Sequence, residues 1–373
     1  MNLLIINEFY YPFYKAGGPV KSLVNLTKYL VINNFNIYVM TSSNDIFTNS
    51  QNKTVLVIDK WVTNDLNKCI IFYSSTLFNF YINFNRKIKI NDILHLNGIF
   101  GFKYTLLPLL LTNKKIILSS RGMLNPEALN QKRVKKTFYL FFFKILVKFK
   151  NIYYHSTDKN ETLHLRNIFG SNIKIFTIDN IPTLHDFKYT NKISNHLNLF
   201  TIAIISPMKN IDKILLSLKF CKSEIKYEIY GPIKDNKYWE RCQNIIADLP
   251  QNIKVFMKGS IEPNDLSLIY SNNHVNIMPS KSENFGHSLV EGLSAGKPTI
   301  TSLNVPWNDL EVNNSGFNIN PDDINQITNA IEYYAKLNNS EFSKIQLNAS
   351  NYINSKININ NIVNEYLTMY KSI

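Results

Sequence analysis

Short apolar runs alternate with segments of helical periodicity along this chain. Met1 to Asn7 is an apolar run that ends in turn-forming residues, as expected of a buried parallel strand. A loop with two adjacent glycines follows, and the apolar positions 23, 26, 30 and 31 then recur at helical spacing. The segment NIYVMTS is expected to be the next strand. This order of strand, Gly-rich loop, helix and strand predicts a βαβ unit and hence a parallel sheet.

Similar units recur in two series. The first continues with the predicted strands DILHLNG, KKIILSSRG and NIYYHST; the second begins after residue 195 with LFTIAIISP, a helix, and YEIYGP. NIKVFMKGS, HVNIMPS, a helix at about 286–295 and PTITSLN follow, while the polar stretch 190–198 separates the series. We therefore predict an α/β protein of two Rossmann-like domains that face each other across a cleft, at the C-terminal ends of the strands. The expected domains are 1–190 and 191–357, with a C-terminal helix at 358–373 that packs back on the first domain.

Size and composition agree with two domains. The chain has 373 residues, 45% of them hydrophobic and 18% charged, so it can bury substantial cores. Three cysteines without paired spacing favour a reducing compartment over a disulfide framework, and no paired Cys or His spacing suggests zinc. The N-terminus lacks the features of a signal peptide, and the longest nearly apolar run, 137–147, is too short to span a bilayer. We expect a soluble protein, or one attached to a membrane from outside.

Positive charge is concentrated in the first half of the chain. Residues 1–190 contain 24 Lys and Arg against 10 Asp and Glu, whereas residues 191–373 contain 17 of each. The first half should therefore face something anionic. Residues 131–150 contain seven basic residues and no acid, and Phe138, Phe141, Phe142, Ile145 and Phe149 share one helical face. Such a helix either lies on anionic lipid or packs its aromatic residues in a core. We expect the Phe-rich part to be mainly core, and the basic end, 132–136, with the neighbouring aromatic residues to face the membrane.

The segment from 279 to 300, PSKSENFGHSLVEGLSAGKPTI, is the most informative for chemistry. Glu283 is expected in a loop and Glu291 in a helix that starts near Gly286. Backbone N–H groups around Gly286, His287 and Ser288 would then point out of the helix N-terminus, which suits a diphosphate. Carboxylates beside such a site suit sugar hydroxyls, because they accept hydrogen bonds in a fixed geometry. The alternative from the residues alone is a helix cap with two solvated acids.

This segment resembles the E-x7-E signature of family-4 glycosyltransferases, which have the GT-B fold. Other segments resemble that family in the same order along the chain: GGPVKSL, HLNGIFG, SSRGMLNPEAL, YYHSTDKNE, SPMKNID and NVPWNDL, from residue 17 to about 317. The resemblance implies an enzyme that retains anomeric configuration without a protein nucleophile. It further implies a UDP- or GDP-sugar donor, no tightly bound cofactor, and an acceptor that is a glycan or lipid-linked glycan of bacterial surface polysaccharide synthesis.

The resemblance also assigns donor-binding roles to individual residues. Glu291 matches the glutamate that holds the donor ribose, Glu283 the one that contacts the transferred sugar, and Lys209 the lysine that binds the diphosphate. An arginine is usual five positions before that lysine, where this chain has Ile204. Either Lys209 and the helix N-terminus suffice, or another base substitutes for the bidentate guanidinium. Since no Asp-x-Asp pair is present, we expect no bound metal and no need for a divalent ion.

Three residues of the first half complete the predicted site. Gly17 and Gly18 follow the first strand, so their backbone is expected close to donor phosphate or acceptor, although they also suit a plain tight turn. Arg121 ends a strand in the matched stretch SSRGM and is expected near the cleft, the alternative being a surface charge. We predict Glu283, Arg121 and Gly18 at the reaction centre, and donor contacts from Lys209, Glu291, Gly286, His287, Ser288 and Gly17. His95, His155 and Trp307 are as consistent with a structural role as with a site.

These observations favour a cytoplasmic glycosyltransferase that is peripheral on the inner face of the cytoplasmic membrane. Two other functions remain as alternatives. A GT-B-fold sugar-nucleotide epimerase or phosphorylase would need other catalytic groups, and an epimerase would turn over the nucleotide sugar without an acceptor. A nucleic-acid-binding protein fits the pI near 9.4; however, a cleft built around two glutamates is unsuited to a polyanion.

Overall fold

The protein folds into two compact units, each built on its own sheet. The structure, a computed structural model, describes residues 1–45, 56–130 and 132–373. One unit comprises residues 1–181 together with 359–373, and the other comprises residues 182–358. The predicted α/β class with two parallel-sheet domains is confirmed.

The first unit contains an eight-stranded sheet with the order β3-β4-β2-β1-β5-β6-β7-β8. All neighbouring strands are parallel except β3, which pairs antiparallel with β4 at one edge. The strands are β1 Asn2–Ile6, β2 Asn36–Ser42, β3 Trp61–Thr63, β4 Ile70–Ser74, β5 Ile93–Asn97, β6 Lys115–Ser119, β7 Ile152–Ser156 and β8 Ile175–Thr177. The helices are α1 Gly18–Ile32, α2 Leu77–Ile88, α3 Leu107–Leu111, α4 Pro126–Asn130, α5 Arg133–Lys148 and α6 Lys159–Phe169. Because helices cover both faces, the central strands are largely buried, and every residue of β5 is buried, including the polar His95 and Asn97.

The second unit contains six parallel strands in the order β11-β10-β9-β12-β13-β14. The strands are β9 His196–Ile202, β10 Glu224–Tyr230, β11 Ile253–Gly259, β12 Val275–Met278, β13 Thr299–Ser302 and β14 Gly316–Ile319. The helices are α7 Ile211–Leu218, α8 Asn236–Ala247, α9 Leu266–Asn272, α10 His287–Ser294, α11 Ile324–Lys336 and α12 Asn339–Lys356. The sheet order reverses direction beside β9 and β12, and the loops that follow these two strands carry the predicted donor residues.

The chain ends in helix α13, Ile359–Ser372, which packs on the first unit. The Tyr370 hydroxyl lies 2.7 Å from Nδ1 of His95, and the Tyr366 hydroxyl lies 3.1 Å from Nε2 of His155. Ser119 Oγ joins the two histidines at 2.7 and 2.8 Å. Burial lowers the pKa of both rings, and the nearby Arg121 guanidinium lowers it further. The two histidines are therefore neutral members of a buried network that holds the C-terminal helix.

Helix α5 exposes Phe138, Phe141 and Phe142 to solvent, contrary to the expectation that its Phe-rich part is mainly core. Its buried face consists of Leu140, Phe143 and Val147, whereas the five residues predicted to share a face are all exposed: Phe138, Phe141, Phe142, Ile145 and Phe149. Apolar residues occur on nearly every side of the second half of this helix, so the sequence periodicity could not show which face packs against the sheet. Gln131, the first residue of the basic stretch, lies outside the described residues. No helix in the described parts of the chain is long and apolar enough to cross a membrane.

Candidate functional site

The N-terminus of α10 is fixed by a glycine in the left-handed region. Gly286 has φ +75°, and a Cβ there would approach Cδ1 of Leu289 to 2.9 Å. Only glycine satisfies both the backbone conformation and the close approach. The first N–H groups of a helix have no acceptor within it and carry partial positive charge. The predicted anion site therefore lies at a helix start, between the loop after β12 and the first turn of α10.

Lys209 and Glu283 form an ion pair beside this helix start. Lys209 ends a single 3₁₀ turn, Pro207–Lys209, and Glu283 lies in the loop that leads to α10. The two segments are held together by backbone and amide hydrogen bonds: Lys281 N–H donates to Met208 O at 2.9 Å, and Asn210 Nδ2 donates to Pro279 O at 2.8 Å. Their ionic side chains are 20% and 13% exposed, so they are partly desolvated yet open to a ligand.

Glu291 lies one turn into α10 and is 1% exposed. The Tyr270 hydroxyl of α9 donates a hydrogen bond to its Oε2 at 3.4 Å. Burial, followed by the negative charge of Glu291, raises the pKa of Tyr270 well above its usual value, so this tyrosine keeps its proton. The alternative of two solvated helix-cap acids is wrong, because both glutamates are held by specific partners. Sequence reasoning missed Tyr270, since a tyrosine 21 positions earlier gives no local signal.

Aromatic side chains support the loop before α10. The Trp307 indole N–H donates to Phe285 O at 2.6 Å, and the Phe285 ring lies 5.6 Å from that of Trp307 and 4.8 Å from that of His287. Trp307 is therefore a buried support of the site loop. The Ser288 hydroxyl points back to Met278 Sδ at 3.6 Å, and Asn276 Nδ2 donates to Ser288 O at 3.1 Å. Since that hydroxyl is engaged with β12, the contribution of Ser288 to an anion would come from its backbone N–H.

A second basic residue lies on the loop next to Ile204. Ile205 N–H donates to Pro232 O at 2.9 Å, and Lys234 N–H donates to Ile205 O at 3.0 Å. These two bonds pair the segment after β9 with the segment after β10. Lys234 is exposed, and its backbone adjoins Ile205, the residue after the position where the resemblance predicts an arginine. Its spacing from Ile204 in sequence gave no hint of this proximity.

Gly17 and Gly18 form the start of α1 in the first unit. Gly17 is the N-cap with φ +80°, and its N–H donates to Tyr14 O at 2.9 Å. Gly18 is the first helical residue, followed by Pro19, a favoured residue at a helix start. A conformation with φ near +80° favours glycine at position 17. The geometry fits both the tight turn and the functional alternative.

Arg121 is held inside the first unit, so the alternative of a plain surface charge is wrong. It follows β6 with φ +51°; its Nε donates to Asn97 Oδ1 at 2.9 Å and its Nη1 to Asn180 Oδ1 at 2.7 Å. Both partners are neutral amides. These two hydrogen bonds orient the guanidinium. Neither of them pairs its positive charge with a carboxylate.

A buried carboxylate, Glu161, fixes the turn that carries Arg121. Its Oε1 accepts from Ser120 Oγ at 2.5 Å and from Gly122 N–H at 2.6 Å, and its Oε2 accepts from Thr157 N–H at 2.7 Å. Burial alone would raise the pKa of Glu161, but these hydrogen bonds outweigh it and lower the pKa. Glu161 is thus ionised and holds the residues on each side of Arg121. The sequence analysis did not identify Glu161, because Ser120 and Gly122, the partners that connect it to Arg121, lie about 40 residues away in the chain.

The predicted site residues therefore fall into two groups. The second unit brings together the six donor-side residues Lys209, Glu283, Gly286, His287, Ser288 and Glu291, and the first unit holds Gly17, Gly18 and Arg121. In the described parts of the chain, no group of three or more His, Cys, Asp and Glu side chains is arranged to hold a metal ion.

This chain is similar to known glycosyltransferases in sequence and in fold. Residues 185–351 match the family described as "Glycosyl transferases group 1". The chain is 25% identical over 206 residues to the O-antigen chain mannosyltransferase RfbU of Salmonella typhimurium, an alignment that covers 55% of this chain and 56% of that relative. Two solved structures align over nearly their full length. The first is HepE of Anabaena in complex with UDP-glucose, with 14% identity, 100% of both chains covered and a TM-score of 0.73. The second is WaaG, a glycosyltransferase involved in lipopolysaccharide biosynthesis, with 12% identity, 99% of both chains covered and a TM-score of 0.68.

The matched region contains all six donor-side residues and the helix start they surround. The aligned part reaches only about half of the curated relative, and the solved structures are similar in fold. Residues 185–351 are thus similar to a group 1 glycosyltransferase domain, and the two parallel-sheet units have the GT-B fold.

Proposed function

We propose that this protein is a retaining glycosyltransferase of family 4 that moves a sugar from a UDP- or GDP-sugar to a lipid-linked glycan of a bacterial surface polysaccharide. The observation that carries the proposal is the grouping of Lys209, Glu283 and Glu291 around the N-terminus of α10. A helix start with an adjacent lysine binds a diphosphate, and two oriented carboxylates bind sugar hydroxyls. The similarity to an O-antigen mannosyltransferase and to a lipopolysaccharide glycosyltransferase supports the choice of acceptor class.

The proposed chemistry depends on positioning and on neutralising charge. The donor diphosphate lies on the N–H groups at Gly286, His287 and Ser288 and on Lys209, with Lys234 in place of the absent arginine. Glu283 orients the transferred sugar and Glu291 the ribose. The bond from C1 of the sugar to the phosphate oxygen breaks while the acceptor oxygen bonds to C1 on the same face. The acceptor proton passes to the leaving phosphate, whose developing charge the lysines and the helix N-terminus stabilise.

The first unit is proposed to present the acceptor. Arg121 offers an oriented guanidinium without a carboxylate in its two amide contacts, which suits an anionic acceptor group. Gly17 and Gly18 bring backbone close to the reacting groups at the start of α1. Because these sites rely on protein cations and N–H dipoles, we propose that no divalent metal and no tightly bound cofactor is required.

The exposed face of α5 supports a membrane location. The ring centroids of Phe138 and Phe142 lie 4.9 Å apart, and those of Phe141 and Phe142 lie 5.3 Å apart, both pairs in edge-to-face contact. The exposed aromatic side chains therefore form one cluster. On an ideal helix these residues, with Ile145 and Phe149, lie within an arc of about 100°. Exposed basic residues, among them Arg133 and Lys148, flank the cluster. A helix of this kind lies in an anionic headgroup layer, so we propose that the protein is cytoplasmic and peripheral on the inner face of the cytoplasmic membrane.

Thermal unfolding with a panel of UDP- and GDP-sugars tests the proposal. A donor bound at 100 times its Kd stabilises the folded state by about 2.7 kcal/mol, which raises the melting temperature by a few degrees. The stabilising donor should be consumed only when a glycan acceptor is present. Turnover without acceptor would instead indicate an epimerase, and stabilisation by RNA but by no nucleotide sugar would indicate a nucleic-acid-binding protein.

A further inference from the structure

A basic groove runs between α5 and the C-terminal end of α6 in the first unit. It has a volume of about 690 Å³ and lies on the side of the unit where Phe141 and Ile145 are exposed. Its floor comes from the end of α6, including Asn167 and Ile168. The groove is thus bordered by the apolar face of α5 that the proposed membrane location places in the lipid headgroup layer.

None of the residues that line this groove is acidic, and four of them are lysines: Lys144, Lys148, Lys150 and Lys174. Lys150 is held in place, since it donates to Thr112 O and to Asn113 Oδ1, both at 2.9 Å. Lys174 lies over the Tyr153 ring, 4.8 Å from its centroid. Among the described residues, neither Lys144 nor Lys148 has an ion-pair partner. Four like charges gathered without a counter-charge favour a ligand with more than one negative charge.

An apolar groove adjoins the basic one. It has a volume of about 360 Å³, and its apolar lining includes Leu124, Leu129 and Leu140, with Arg133 and Lys136 also at its edge. Asn167 and Ile168 line both grooves, so the two meet at the end of α6. A ligand that fits both would carry phosphate charge at one end and hydrocarbon at the other. The combination of lysines with an adjoining leucine-lined part matches an amphiphile.

We infer that this double groove binds the headgroup of an anionic phospholipid that carries two phosphate charges, with its first acyl carbons along the leucine-lined part. The inference rests on the membrane location proposed above. It adds a specific headgroup site to the general attraction of a basic, aromatic helix face. A bound headgroup would fix the rotation of the first unit on the bilayer, which an unspecific charge attraction does not do.

Vesicle binding of two double variants tests this inference. Vesicles of a zwitterionic lipid are mixed with phosphatidylglycerol or with cardiolipin, which carries two phosphates, at equal total charge. The wild-type chain should bind the cardiolipin vesicles more tightly. Lys148 and Lys174 are both exposed, so Lys148→Ala/Lys174→Ala should leave the fold intact. Each lysine near an anionic surface contributes about 5-fold in affinity, so the double variant should lose about 30-fold on both vesicles through the general attraction. It should lose clearly more on cardiolipin, where the headgroup site is lost as well.

The matched control removes two exposed charges at the N-terminal end of α5, outside both grooves, at Lys132 and Lys135. Lys132→Ala/Lys135→Ala should weaken binding to both vesicles equally and keep the cardiolipin preference. If the wild type binds both vesicles alike, or if both double variants lose the same, the headgroup site is refuted while the membrane location stands. If the wild type binds no anionic vesicle, the membrane location itself fails. A loss of RNA binding in the groove variant with unchanged vesicle binding would also overturn the inference.

Discussion

Lys209 and Glu283 form an ion pair in the second unit although 74 residues separate them in the chain. The pair joins the loop after β9 to the loop after β12, the two strands where the sheet order reverses. A diphosphate on Lys209 would therefore place the attached sugar next to Glu283. This juxtaposition connects the donor-binding and sugar-orienting parts of the proposed site.

Replacing Lys209 should reveal a diphosphate contact. Lys209→Met should weaken binding of UDP or GDP by roughly 10- to 150-fold, the cost of a charge-assisted hydrogen bond of about 1.5–3 kcal/mol. Binding of the corresponding nucleoside should not change, because it lacks the diphosphate. Titration calorimetry measures both, with Lys254→Met, an exposed lysine on β11, as control. Adding Lys234→Met should weaken nucleotide binding further and should again leave nucleoside binding unchanged. Unchanged nucleotide affinity in Lys209→Met would show that the diphosphate binds elsewhere.

Metal removal should leave the reaction running. Lys209 and the N–H groups at the start of α10 supply the positive charge that a divalent ion supplies in other transferases. We therefore expect transfer rates after dialysis against EDTA to stay within about 2-fold of the untreated protein. Loss of activity with recovery on manganese would show that the account of the diphosphate site is wrong.

Charge reversal on α5 should release the protein from anionic vesicles. Lys132, Arg133 and Lys135 are exposed, and reversing all three to Glu should lower affinity by at least about 100-fold at low salt. Lys136 is left intact because it donates to Ala128 O and lies 5.1 Å from the Phe100 ring centroid. Transfer to a lipid-linked acceptor should slow far more than transfer to a short soluble analogue.

The control reverses three exposed lysines of the second unit, Lys222, Lys237 and Lys254. It changes net charge equally and should still float with the vesicles. A wild-type protein that fails to float with anionic vesicles at low salt would argue for a soluble acceptor. Equal release of both triple variants would mean that net charge, and not α5, drives the binding.

Acidification should destabilise the protein through its buried histidines. His95 and His155 have pKa values lowered by burial, so the folded state keeps them neutral while the unfolded chain binds protons below about pH 6.5. Their contribution is thus complete above pH 6.5 and is lost as the pH falls. The free energy of unfolding should drop by about 1.4 kcal/mol per pH unit for each ring. Urea unfolding between pH 7.5 and 5.0 should show a shallower decline in His95→Gln/His155→Gln.

The matched control for this pH dependence is His196→Gln, because His196 is exposed to solvent. It should leave the decline below pH 6.5 nearly unchanged. If the double variant declines as steeply as the wild type, other groups dominate the acid sensitivity.

Local patterns predicted the strands and the helix of the donor site. The segments DILHLNG and LFTIAIISP identified β5 and β9, and the glycine at 286 marked the start of α10. The antiparallel edge strand β3 was not predicted, since three residues are too few for a periodicity. The structure divides the units after Ile181, where the sequence composition does not change.

Contacts between distant residues could not be read from the sequence. Glu161 holds Arg121 through hydrogen bonds to its two neighbours, and Tyr270 holds Glu291. Each of these contacts depends on how the elements pack, which no local pattern specifies. The prediction of which face of α5 is buried was wrong for the same reason. Leu140 and Phe143 are as apolar as Phe141 and Phe142, so only packing decides which pair is buried.

Steady-state kinetics and donor binding of Glu283→Gln and Glu291→Gln test the central claim most directly. Glu291→Gln should weaken donor binding by roughly 10- to 150-fold, and Glu283→Gln should lower kcat by a similar factor without weakening donor affinity. Glu240→Gln, at an exposed position of α8, is the matched control and should behave as wild type. If both glutamate variants bind donor and transfer sugar like the wild type, then the helix start of α10 is not the donor site.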